Sequence, residues 1–211
     1  MIKAILWDND GVLVDTEHLY FLATQQILAS VGVTLTQEMY IDLLLIQGKG
    51  AWHLAEAKGI TLADIIELRN RRNTQYIKLL SSQAKVIDGV EDVLNTLYGK
   101  YLMGVVTSSR REHFELIHRS TGLMKYFAFA LTGEDYSKFK PDPEPYLVAV
   151  QKTGFEKEDC IAVEDSERGL ASASAAGLKC IVVPNRLTRS CKFLKAHKVL
   201  DSVRAIPVEL V

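Results

Sequence analysis

The chain has 211 residues, 48% of them hydrophobic and 24% charged, with a net charge of −1. That length supports one sizeable core plus a smaller accessory domain, and the near-neutral charge leaves no electrostatic footprint for nucleic acid or an anionic membrane. Cys160, Cys180 and Cys191 are odd in number and never spaced Cys-x-x-Cys, which argues against a disulfide framework and a structural zinc site. Cys160 and Cys180 each precede a β-branched apolar run and are read as buried small hydrophobes. The first apolar run, Ile2 to Leu6, meets charge at Asp8 and Asp10, unlike a signal peptide, and no run approaches the roughly 18 residues of a membrane span. A reducing cytoplasm is the expected compartment, and a monomer the expected state.

The predicted elements begin with a buried strand, Lys3–Trp7, stopped by Asp8-Asn-Asp-Gly11. From about Thr16 to Ala84 no strand-like run occurs. Leu19–Val31, Gln37–Leu45, Ala51–Lys58 and Leu62–Leu80 instead carry apolar residues three and four apart, the helical spacing. Beyond them, helical patterns at Val90–Tyr98, Arg111–Ser120, Glu144–Thr153 and Ser166–Ala176 alternate with apolar runs at Leu102–Val106, Ala128–Leu131, Cys160–Val163 and Lys179–Val183. Near-continuous hydrophobicity marks strands covered on both faces, as in a parallel sheet. The alternation predicts a doubly wound, Rossmann-like α/β core. The expected division is a core of residues 1–15 and 85–211, with an α-helical cap domain, 16–84, inserted after the first strand. The alternative is one merged domain with extra flanking helices. The final segment, Arg186–Val211, is expected to add a helix and an edge element.

In open α/β sheets ligands sit outside the carboxyl ends of the strands. Those ends carry Asp8 and Asp10, then Thr107, Ser108 and Ser109, then Lys138, Lys140 and Pro141 after the third run, then Glu164, Asp165 and Ser166. Buried acids so close together require positive charge nearby. An oxygen-rich cluster of Asp8, Asp10 and Asp165 suits a hard cation such as Mg2+. An Asx turn and helix cap is the competing explanation of Asp8 and Asp10 alone, and the other strand ends argue against it. A carboxylate such as Asp8 attacks phosphorus without prior deprotonation. Lys140 would offset the repulsion, Thr107 or Ser108 would donate to phosphoryl oxygens, and Asp10 would protonate the leaving alkoxide and later activate water.

The run Asp8-Asn-Asp-Gly-Val-Leu-Val-Asp-Thr-Glu17 resembles the first motif of the haloacid dehalogenase superfamily, in the branch of phosphatases that includes β-phosphoglucomutase. Thr107-Ser-Ser109, Lys140-Pro-Asp-Pro143 and Val163-Glu-Asp-Ser166 resemble the second, third and fourth motifs, in order, over about residues 1–184; Gly169 and Ala175-Ala-Gly177 also fit the last motif region. The resemblance implies Asp8 as nucleophile and metal ligand, and Asp10 as acid/base and ligand through its main-chain carbonyl. It further implies Thr107 and Ser108 at phosphate, Lys140 as charge neutraliser, Asp165 as metal ligand, and Glu164 as a ligand directly or through water. Asp10 disfavours a true dehalogenase, whose pattern resembles Asp-x-Tyr.

The cap is expected to set specificity. Glycines in Gln47-Gly-Lys-Gly50 would let a loop bring Lys49 over the site, although a plain turn with a solvated lysine is equally compatible. Of the basic run Arg69, Arg71 and Arg72, the last is the candidate phosphate binder, because β-phosphoglucomutase has a basic residue in a similar context before Asn-x-x-Tyr, here Asn73-Thr-Gln-Tyr76. Hydrolysis of a small phosphomonoester, such as a sugar phosphate, is the first reading, and a phosphosugar mutase the second. The Gln47–Gly50 loop departs from the mutase pattern, which carries a Ser-Arg pair there. A phosphonatase would need Lys49 or Lys58 as a Schiff base. A receiver-type phospho-switch or an idle phosphosugar-binding module is the reading from another class; the helical insertion and the Asp8/Asp10 pair argue against a switch. Trp7 is expected beneath the first catalytic loop, and Trp52 in the cap core or facing substrate. His18, His53, His113, His118 and His197 share no metal spacing and are expected at the surface or in the cap.

Overall fold

The structure, a computed structural model, describes residues 1–210. Among these, six strands form one parallel sheet in the order β3-β2-β1-β4-β5-β6. They are β1 Ala4–Trp7, β2 Leu102–Val106, β3 Phe129–Leu131, β4 Cys160–Glu164, β5 Lys179–Val182 and β6 Lys198–Val199. Alternate residues of β1 enter different cores. Ile5 and Trp7 join Val105, Val163 and Ile181 on one face, while Ala4 and Leu6 join Val106, Ala162 and Val182 on the other. Two covered faces explain why the strand sequences are apolar throughout. The first core is closed by α5 (Val90–Leu97) and α6 (Arg111–Thr121), the second by α7 (Glu144–Thr153) and α8 (Glu167–Ala175).

The four helices that precede these are α1 (Glu17–Ala29), α2 (Gln37–Tyr40), α3 (His53–Glu56) and α4 (Leu62–Gln83). They form the inserted cap of the Rossmann-like fold. The chain leaves and returns side by side: Asp15 N–H donates to Lys85 O at 2.8 Å and Ile87 N–H to Leu13 O at 3.0 Å. Phe21, Leu28, Tyr40, Trp52, Ile65 and Leu68 make a separate apolar cluster, joined by Leu187 from the sheet domain. Leu19, Ala23, Tyr76 and Leu80, at the base of α1 and α4, belong instead to the sheet core. The insert is therefore anchored by its own helices, not only by its two linkers.

One predicted element changes winding. Gln37–Leu45, expected as one helix, is α-helical to Tyr40 and then a π-turn over Ile41–Ile46, with Gln47 N–H bonding to Asp42 O at 3.0 Å. The wider turn lets the adjacent Leu44 and Leu45 both face inward. The C-terminal segment supplies the edge strand β6 and a short helix, α9 (Ile206–Glu209).

Because Leu6 is fully buried in the second core, Leu6→Ala should lower unfolding free energy by about 2–5 kcal/mol. Urea unfolding followed by circular dichroism measures this, and the slope should stay unchanged.

Candidate active site

Strands β1 and β4 are neighbours whose continuations go to opposite sides of the sheet, β1 toward β2 and β4 toward β5. A crevice opens at such a reversal, beyond the carboxyl ends. Asp8 follows β1, Glu164 ends β4 and Asp165 follows it, so the three carboxylates flank that crevice. Their oxygens lie within 4.8 Å of one another, and all three residues are buried. Lys140, 4% exposed, reaches in from the loop before α7, with Nζ 2.7 Å from Asp8 Oδ1, 2.6 Å from Glu164 Oε1 and 2.8 Å from Val106 O. Burial alone would push this ammonium down, but Asp8 and Glu164 more than reverse that and hold it protonated.

One ammonium among three buried carboxylates leaves an excess of negative charge. Burial, reinforced by Glu164 and opposed by Lys140, raises Asp8 to about 7. Asp165 is raised by burial and then by Asp8 and Glu164. This donor set, all hard oxygen, suits Mg2+. Glu164 is the least free of the three, because its Oε1 also accepts from Tyr146 Oη at 2.6 Å. Two glycines make room for the cluster. At Gly11, with φ 90°, a Cβ would stand 2.3 Å from Asp165 Oδ2. At Gly169 it would stand 2.0 Å from Glu164 Oε2, so the start of α8 closes directly over that carboxylate.

Asp10 is turned elsewhere. Its Oδ1 accepts from Thr16 Oγ1 at 2.5 Å, and its Oδ2 from Ser109 Oγ at 2.7 Å, Thr107 Oγ1 at 3.2 Å and Asn9 Nδ2 at 3.2 Å. Thr107, expected at phosphate, is thus engaged with Asp10 here, and it also accepts Ser109 N–H at 3.0 Å. The Ser108 hydroxyl is buried with no partner, which leaves it available to an incoming oxygen. The sequence places Ser109 at this strand end but assigns it no role: a Thr-Ser-Ser run does not show which hydroxyl meets which acceptor.

Between this edge and the cap lies a cavity of about 640 Å³. Lys49 is exposed and lines it, as does Arg72, which is buried beneath it with its guanidinium carbon 4.3 Å from the Tyr20 ring centroid and 5.8 Å from that of Trp52. Trp52 is at once part of the cap cluster and part of the cavity wall. Arg71 and Lys58 are exposed and lie outside the wall. Glu17, Tyr40, Arg110 and Arg168 also line it; Glu17 closes the first motif, but the sequence assigns none of the four a role. Burial raises Glu17, Arg168 lowers it, and the Tyr40 hydroxyl hydrogen-bonds to it.

The histidine expectation fails at two positions. His113 and His118, on α6, are buried against the sheet core rather than at the surface or in the cap. His113 packs edge-on to Tyr76, ring centroids 5.0 Å apart, and His118 bonds through Nε2 to Asn9 Oδ1 at 2.8 Å. Their apolar companions on α6, Phe114 and Ile117, carry the helical pattern, which places the histidines on the inward face with them.

The chain belongs to the haloacid dehalogenase-like hydrolases, whose family model matches residues 5–183. It is 30% identical to the phosphorylated carbohydrates phosphatase of Thermotoga maritima, over 84% of this chain and 83% of that one. It is 28% identical to the beta-phosphoglucomutase of Bacillus subtilis, over 84% and 81%. The crystal structure of CbbY from Rhodobacter sphaeroides in complex with xylulose-(1,5)bisphosphate superposes with a TM-score of 0.82 at 27% identity, covering 97% of this chain and 96% of that one.

His118 gives the fold a pH signature. Burial pulls its imidazole down from 6.5 to about 4, so it is neutral in the native state, whereas the unfolded chain takes up its proton near 6.5. The unfolded state therefore binds more protons between these values, and the contribution is complete above pH 6.5 and lost as pH falls toward 4, by about 3 kcal/mol in all. Urea midpoints at pH 7 and pH 5 should show the drop, and His118→Gln should shrink it.

Proposed function

We propose that the protein hydrolyses a small phosphomonoester, most simply a phosphorylated carbohydrate, with Asp8 as nucleophile and an aspartyl-phosphate intermediate. The observation that carries this reading is the Asp8 carboxylate, held by Lys140 beside Asp165 at the mouth of the cavity, with Asp10 set apart from the acidic cluster. Residues 16–84 act as the specificity cap over a core of residues 1–15 and 85–211. Asp8, Asp165, the main-chain carbonyl of Asp10 and Glu164 would hold Mg2+, which when bound supplies the positive charge that lets an anionic nucleophile meet a phosphate.

Each step balances on this chain's own residues. An Asp8 oxygen bonds to phosphorus as the ester oxygen departs, and Asp10 in its acid form gives that oxygen a proton. Lys140 neutralises Asp8 and the transferred group, while Thr107 and Ser108 donate to its oxygens. Asp10, now a carboxylate, takes a proton from water as that water attacks phosphorus, the bond to Asp8 breaks, and inorganic phosphate leaves. In the observed arrangement Asp10 accepts from four donors.

A mutase is the second reading, because Arg69, Arg72, Arg110 and Arg168 line the cavity and, among the described residues, none pairs with a carboxylate. Arg72 and Lys49 would then receive a distal phosphate, and water would have to be excluded between transfers.

A screen of sugar and metabolite phosphates with Mg2+ should reveal phosphate release that chelation abolishes. Asp8→Asn should lower kcat by at least about three orders of magnitude; retained turnover would remove Asp8 as nucleophile. Conversion of β-glucose 1-phosphate to the 6-phosphate without phosphate release would replace the phosphatase by the mutase. A phospho-switch or idle binding module would show no turnover on any substrate.

A further inference from the structure

The His118 ring lies one layer behind the reacting carboxylates, and its hydrogen bonds form one consistent chain from Thr121 to Asp10. Thr121 Oγ1 lies 2.9 Å from His118 Nδ1 and accepts the Leu123 backbone N–H at 3.3 Å, while at the far end the Asn9 amide nitrogen faces the Asp10 carboxylate, which leaves Asn9 Oδ1 toward His118. An amide oxygen only accepts, so Nε2 donates to Asn9 Oδ1 at 2.8 Å, the single proton of the neutral imidazole sits there, and Nδ1 accepts from Thr121 Oγ1. With Oδ1 so occupied, the Asn9 amide turns its NH2 the other way, where Nδ2 donates to Asp10 Oδ2 at 3.2 Å. Asn9 is fully buried and His118 is 8% exposed, so neither orientation is left to solvent. Phe114 confines the ring further, with centroids 4.5 Å apart.

We propose that His118 is a positioning residue for Asp10, acting through Asn9. It fixes the amide so that an N–H, not a carbonyl oxygen, faces the Asp10 carboxylate. A reversed amide would set two acceptors against each other at Asp10 Oδ2, and that oxygen would keep only the hydroxyls of Ser109 and Thr107. A hydroxyl can turn its proton to another acceptor, whereas the amide is held by the Asp10 carboxylate on one side and by His118 of α6 on the other. The ring is held on its other side by Thr121 at the end of α6, so packing of that helix is transmitted to the acid/base group. The proposal rests on the reading of Asp10 as acid/base.

Two isosteric tests separate the two ring nitrogens. The amide nitrogen of Gln at position 118 lies near Nε2 and can still reach Asn9, whereas that of Asn lies near Nδ1 and can reach only Thr121. With p-nitrophenyl phosphate and saturating Mg2+, whose aryl group departs with little help, turnover still needs Asp10 to activate water. His118→Asn should lower kcat about tenfold or more with KM within about twofold, while His118→Gln stays within about threefold of the parent. Circular dichroism at the assay temperature establishes that both are folded. Equal kcat in the two variants, or a His118→Gln slower than His118→Asn, overturns the positioning role. Asp10→Asn, measured alongside, keeps the two readings apart: if it retains full activity, the acid/base assignment fails, and if it is inactive while the His118 variants do not differ, only the His118 proposal fails.

Discussion

The Lys140 ammonium, buried between Asp8 and Glu164, is the interaction on which the site depends. A lone carboxylate at either place would be expelled or protonated by its surroundings, and the cation is what lets both stay at the sheet edge. The lysine is itself tied by the Val106 carbonyl at the end of β2, so the ends of three strands are joined through one side chain. This is an arrangement that packing alone would not favour, since hydrophobic residues of similar volume fill such a space without desolvation. Its persistence in a core this apolar is better explained by charge that a ligand must meet than by stability.

Around this centre the chain separates two kinds of acid. Asp8, Glu164 and Asp165 share the lysine and crowd one another, whereas Asp10, two residues from Asp8, receives donors from three hydroxyls and an amide. The separation begins in the backbone. Gly11 takes a left-handed φ that turns the loop immediately after Asp10, and the absence of a Cβ there lets Asp165 approach. A side chain at this position would push the β4 carboxylate away from the one that ends β1. Local turn chemistry thus determines which aspartate joins the cluster and which stands outside it.

Much of this was legible in the sequence, and the parts that were not share a cause. Asp8, Lys140 and Asp165 could be found because each follows an apolar run whose direction in a parallel sheet is fixed, so strand ends collect on one edge. Arg72 could be preferred over Arg69 and Arg71 by its context, and it is the buried one of the three. The parts played by Ser109, Glu17, Tyr40 and Arg168 were not legible, because they depend on which side chains the loop after β2 and the helix ends turn to the cavity and not on spacing along the chain. The π-turn after Tyr40 was hidden for a related reason: apolar residues at 41, 43, 44, 45 and 46 are compatible with more than one winding, and the cap's packing decides between them.

The two histidines of α6 show how a sequence reading can assign residues to the right helix and still misjudge what they do. A search for metal spacing has no reason to keep them, and a polar ring amid Phe114 and Ile117 looks like a solvated position. Yet a neutral imidazole is both donor and acceptor, so a buried one can pass hydrogen-bond direction from a helix end to a loop without carrying charge. His118 does this between Thr121 and Asn9. The same burial that keeps it uncharged makes the fold sensitive to acid. In this molecule the layer that orients the chemistry lies inside the hydrophobic core, so side chains that never reach the cavity still face the groups that do.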